Sequence, residues 1–130
     1  MSDVRHVSIS IDRQAEAVYD FASRPEQLPR WARGLAESIE VVSGELIARS
    51  PMGTVRVRFV PRNPFGVLDH DVVLESGVSV HNAMRVVPRP DGRSEVVFTL
   101  FRRPEVTAEE FERDAEAVDR DLRTLKSLVE

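Results

Sequence analysis

The chain contains no cysteine, which removes disulfides, thiolate nucleophiles, Fe–S clusters and cysteine-ligated zinc from consideration. That absence suits a reducing compartment. No apolar run approaches the roughly 20 residues needed to cross a bilayer. The amino end, Met-Ser-Asp-Val-Arg-His, lacks the hydrophobic stretch and small-residue cleavage site of a signal peptide. A cytoplasmic protein without membrane contact is therefore expected. Aromatic residues make up only 6% of the chain, so the core should be largely aliphatic. Gly/Ser-rich linkers, internal repeats and low-complexity blocks are also missing. The 130 residues thus read as one domain spanning 1–130, large enough for a core without metal or disulfide support. A formal charge of -4 disfavours nucleic-acid binding, whose affinity comes mainly from neutralising phosphates. Hydrophobic content of 42% argues against disorder.

What is present is one long periodic segment, Thr107 to Leu128. Phe111, Ala115, Val118, Leu122, Leu125 and Val129 recur at spacings of three and four, one apolar stripe on a helix. Thr107 and Glu110 have the spacing of a capping box. Glu109 with Arg113, Glu116 with Arg120, and Asp119 with Arg123 are acid-before-base pairs four apart. Such a helix is wet on most of its circumference and must bury its stripe against the strand-rich middle of the chain.

The preceding segments supply those strands. Val7, Ile9 and Ile11 alternate with serines in an opening strand, Val4 to Ile11. Asp12 is placed to cap a helix over Ala15 to Ser23, and Ser23 with Glu26 to box a second, brief one containing Pro25, Leu28, Pro29 and Trp31, which Gly34 ends. Strands follow at Ser38 to Val42, Glu45 to Ser50, Thr54 to Val60, Val67 to Glu75, Val78 to Val87 and Glu95 to Phe101, with turn signals at Ser43-Gly44, Ser76-Gly77 and Asp91-Gly92. The expected class is α+β: a curved antiparallel sheet wrapped around the carboxyl-terminal helix, with two short helices after the first strand.

Alternation places Leu68, His70, Val72 and Leu74 on one face and Val78, Val80, Asn82, Met84 and Val86 on another inward row. An imidazole on an apolar face needs a hydrogen-bond partner. His70 is either a satisfied core histidine or a proton shuttle and polar contact to a ligand. Asn82 is the polar member of its row, suited to orienting a carbonyl or hydroxyl. Tyr19 and Trp31 sit on the two small helices, where a pocket mouth should be. Met52 and Phe65 beside loops, with Met84, complete the candidate ligand contacts. Arg56 and Arg58 read as a solvated strip able to pair with Asp69, Asp71 and Glu75 on an adjacent strand. Three histidines without HxH or HExxH spacing give no metal site, and no cofactor is expected.

In this order of elements the whole chain resembles the START-like, helix-grip (SRPBCC) superfamily, which includes polyketide cyclases, plant pathogenesis-related proteins and lipid-transfer domains. The resemblance rests on the opening strand, Ala15-Glu-Ala-Val-Tyr-Asp-Phe21, Pro25-Glu-Gln-Leu-Pro-Arg-Trp31 and the final helix. Val67-Leu-Asp-His70 followed by Asn82-Ala-Met-Arg-Val86 is similar to small bacterial, polyketide-cyclase-like members. The resemblance implies an apolar cavity between sheet and long helix; a chain shorter than the lipid-transfer members speaks against a large lipid cavity. It implies first the binding of a small hydrophobic or aromatic molecule. The alternatives are a cyclase or dehydratase with His70 as acid or base and Asn82 or Tyr19 orienting a carbonyl, and an interaction or regulatory domain, including a homodimer.

Overall fold

The computed structural model describes residues 3–130. Its strands are β1 (Val4–Ile11), β2 (Ser38–Val42), β3 (Glu45–Ser50), β4 (Gly53–Phe59), β5 (His70–Val73), β6 (Ser79–Pro88) and β7 (Ser94–Phe101). They form one antiparallel sheet in the order β1-β7-β6-β5-β4-β3-β2. Every pair from β2 to β7 is adjacent in sequence; β1 crosses to pair with β7 because helices α1 (Ala15–Ala22) and α2 (Leu28–Trp31) intervene before β2. The long helix α3 (Ala108–Val129) lies in the concave side of the sheet, and this is the helix-grip architecture expected from the pattern.

The local chemistry explains why. Thr107 Oγ1 accepts the Glu110 N–H and Glu110 Oε1 accepts the Thr107 N–H, both at 3.1 Å, so the capping box forms. Phe111, Ala115, Leu122, Leu125 and Val129 are buried on the stripe. At the far end Lys126 Nζ donates to the Ser10 carbonyl (2.9 Å) and the Asp12 N–H to Glu130 Oε2 (2.8 Å), tying the helix to the end of β1. The Ser43-Gly44 turn has both residues at positive φ, 51° and 81°, the geometry that joins two strands without splaying them. Alternation holds on β4, with Val55 and Val57 buried and Arg56 and Arg58 exposed.

Several local expectations are corrected. Asp12 does not cap α1: Gln14 holds that place with no side-chain bond, because two further residues are used in leaving β1. Ser23 and Glu26 form no capping box; Ser23 sits at the end of α1, its hydroxyl donating to the Asp20 carbonyl and accepting from Arg62, and Arg24 leads into a short 3₁₀ turn, Pro25–Gln27. The second helix ends at Trp31, ahead of Gly34. Arg56 and Arg58 turn to Glu45 on β3 (3.7 and 3.3 Å), while Asp69 and Asp71 are engaged by Arg85 and His81 of β6. Of the three helix-surface pairs, only Asp119–Arg123 closes as an ion pair among the described residues.

Regular pairing of the fifth strand starts at His70, three residues after the expected Val67. The register nevertheless extends back, with Val67 bridging Arg85 and the Leu68 N–H donating to the Met84 carbonyl. The ladder is interrupted because the Asp69 carboxylate takes the Met84 N–H (2.9 Å) as well as the Arg85 guanidinium. Its bond to Arg85 holds the Asp69 carboxyl below the usual range. Gly66, at φ +73°, lets the chain pass the β6 backbone closely: a Cβ there would stand 2.4 Å from the Val86 carbonyl oxygen.

Candidate functional site

The sheet and α3 do not meet everywhere. Between them lies a cavity of about 390 Å³. Phe59, His70, Val72, Val80, Asn82 and Phe98 line it from the sheet; Phe111, Asp114, Ala117, Val118, Asp121 and Leu122 line it from α3. Trp31, Ala32, Gly34 and Leu35 close one side, with Met52, Arg102, Arg103 and Arg120 at the rim. The scarce aromatics are concentrated here: Trp31, Phe59, Phe98, Phe101 and Phe111, five of the chain's eight, border this space. The core elsewhere is mainly aliphatic, as low aromatic content predicts.

His70 is 4% exposed and belongs to the wall. It lies between Phe59, 4.7 Å between ring centroids, and Phe98, 5.9 Å and edge-on. Its Nδ1 is 2.9 Å from the Leu68 carbonyl oxygen. A carbonyl only accepts, so Nδ1 carries the proton and Nε2 of the neutral ring is left as an acceptor. Nε2 has no partner among the described residues, and it is not one of the partnerless atoms sealed from solvent. Burial lowers the His70 pKa, outweighing the Leu68 bond that raises it, so the ring stays neutral. Asn82 stands directly opposite His70 in the β5–β6 register, half-buried on the same face.

The helix wall is different. Asp121 accepts the Gly34 N–H at 3.0 Å, and has no cationic partner at ion-pair distance among the described residues. Burial pushes its pKa up from 3.8 to about 6. Asp114, one heptad earlier, is raised by burial in the same direction. Gly34 permits the approach, since a Cβ there would be 2.9 Å from the Asp121 carboxylate. Trp31 is buried with its Nε1 proton unpartnered.

Of the seven residues singled out from the pattern, Trp31, Met52, His70 and Asn82 come together around this cavity. Met52 does so from the rim at 53% exposure. The other three lie elsewhere. Tyr19 is buried with its hydroxyl accepting the Asn63 N–H (2.9 Å) beneath the Arg62 guanidinium, so it fastens the Pro61-Pro64 turn. Met84 is sealed in the core, and Phe65, at 78% exposure, stands away from the cavity. Sequence reasoning missed Asp114 and Asp121. Their signal was present: 111, 114, 118, 121 and 125 run along one helix line, and the two carboxylates occupy it.

Among the described residues, no group of three His, Cys, Asp or Glu side chains is placed to hold a metal ion, and no helix is long and apolar enough to cross a membrane.

The fold is shared widely. XoxI from Bacillus cereus superposes with a TM-score of 0.78 at 16% identity, covering 98% of this chain and 96% of that one. A protein from Bacillus thuringiensis gives 0.76 at 18%, covering 97% and 98%. The Aha1 dimer from Colwellia psychrerythraea gives 0.75 at 18%, covering 100% and 97%. These are helix-grip structures, and at such identities they share the fold alone. Residues 5–130 match the family described as polyketide cyclase / dehydrase and lipid transport, and the chain belongs to that family. No curated protein matches the chain significantly.

Proposed function

We propose that residues 1–130 act as one ligand-binding domain that takes a small, mainly apolar or aromatic molecule between the sheet and α3. The observation that carries this reading is the unfilled space of about 390 Å³, walled by aromatic and aliphatic side chains with a few convergent polar groups. Ligand pockets typically measure about 300–1,000 Å³ and combine apolar walls with sparse polar contacts. The volume is at the small end of that range, which suits a compact ring system better than a long acyl chain. Titration with the neutral fluorophore N-phenylnaphthylamine tests the reading. Saturable enhancement at one probe per chain, lost in Val80→Phe with the fold intact, is expected. Equal enhancement in the filled variant would place the probe elsewhere and end the proposal.

A second reading, a cyclase or dehydratase step, is favoured by one specific observation: His70 has a fixed tautomer and a free Nε2 on the cavity wall. Such a base removes a proton α to a carbonyl, with Asn82 holding the oxygen, and a placed side chain of this kind contributes about 10²–10⁴-fold. Turnover of a poly-β-ketone by the parent chain, reduced by about that factor in His70→Phe, is the expected result; equal turnover in both would remove His70 from the chemistry.

A further inference from the structure

Two polar groups on opposite walls of the cavity, His70 and Asp121, share one property, while the Trp31 Nε1 proton and the Asn82 amide offer donors beside them. His70 has spent its only proton on the Leu68 carbonyl, so Nε2 can only accept. Asp121 uses one lone pair on the Gly34 N–H and, above its midpoint, has only acceptor sites left. His70 projects from β5 and Asp121 from α3, so the two belong to the facing walls of one aromatic-lined space. An acceptor stripped of water by a guest and left unpaired costs about 1–3 kcal/mol, so each rewards a ligand that brings a proton and penalises one that covers it without one. Asp114, exposed but on the same helix line, adds a second carboxylate acceptor to that wall.

We propose that this cavity selects neutral aromatic molecules carrying two hydrogen-bond donors, one at each end, of the diphenol type, with one hydroxyl donating to His70 Nε2 and the other to the Asp121 carboxylate. This rests on the cavity being the binding site, and it specifies the ligand class. Ketones and ethers of the same shape leave both acceptors unpaired. A carboxylic acid, ionised at neutral pH, carries no proton to donate and leaves both acceptors unpaired as well.

The test is calorimetric titration at about pH 8, where the Asp121 carboxylate is ionised and a phenol is not. The probes are biphenyl, para-hydroxybiphenyl, para,para′-dihydroxybiphenyl, its dimethoxy ether and a biphenyl carboxylic acid. Each hydroxyl should improve affinity by about tenfold, the worth of a hydrogen bond to a buried acceptor. The ether should bind no better than biphenyl. In His70→Phe and in Asp121→Leu the ratio of diol to biphenyl affinity should fall about tenfold, to the ratio that the mono-ol shows in the parent, while Asp121→Asn, which keeps an acceptor, should retain most of the gain. Near-ultraviolet circular dichroism establishes that each variant is folded. Equal affinity for diol and ether, or tightest binding of the acid, overturns the donor assignment while the cavity reading stands. Binding of none of the five overturns both.

Discussion

Asp121→Asn should make this protein more stable, and the gain should depend on pH in one direction. The carboxyl is moved by burial from 3.8 to about 6, so the folded chain holds this proton more tightly than the unfolded one. Each tenfold change in proton affinity is worth about 1.4 kcal/mol, which sets an upper bound near 3 kcal/mol for the cost of keeping the group ionised. The side chain is half-buried, and water screens part of that cost; about 1–2 kcal/mol is the working figure. The sign follows from linkage. Between 3.8 and about 6 the folded state binds more protons, so this group lowers stability as pH rises through that window, and the cost is fully present above it. Asparagine retains an oxygen for the Gly34 N–H at 3.0 Å and carries no charge. Urea unfolding of both proteins across pH is the assay. The variant should be more stable by about 1–2 kcal/mol at pH ~8, with the difference shrinking through about 6 and vanishing below 3.8. A variant less stable at every pH, or a gain that does not change with pH, would refute the assignment of desolvation as the dominant influence on Asp121.

His70 should show the opposite slope. Burial lowers its pKa from 6.5, so the folded state binds fewer protons and stability contributed by the neutral ring is lost as pH falls below that value; His70→Phe, fitting between Phe59 and Phe98, should flatten that acid-side loss in the same urea series. Leu125→Ala empties a fully buried position on α3 and should cost about 2–5 kcal/mol, read as a lower denaturant midpoint with unchanged slope. Gly66→Ala places a side chain at φ +73° and into the Val86 carbonyl; a loss above about 1–2 kcal/mol is expected, whereas Gly44→Ala, also at positive φ but with nothing within 4 Å, should cost less.

The architecture was legible because it is carried by periodicity. The stripe from Phe111 to Val129 and the alternation on β4, β5 and β6 are one-dimensional signals, and they set His70 and Asn82 on the face that lines the cavity. The site was only half legible. Asp114 and Asp121 look like solvated helix residues because a carboxylate beside an apolar stripe carries no mark of what the stripe fails to fill. Tyr19 was set at a pocket mouth by its place on a short helix, yet its hydroxyl serves Asn63, a contact across 44 residues that no local pattern encodes. The Arg56 and Arg58 pairings missed for a related reason: β4 has neighbours on both sides, and Glu45 of β3 competes with Asp71 of β5 for the same guanidinium groups.

A crystal structure of the protein grown with para,para′-dihydroxybiphenyl tests the central claim most directly. The account predicts ligand density between α3 and the sheet, against Trp31, Phe98 and Val118, with one hydroxyl in hydrogen-bonding reach of His70 Nε2. An interior closed by Phe59 and Phe98 turned into the gap, with the ligand on the outer surface, would contradict it.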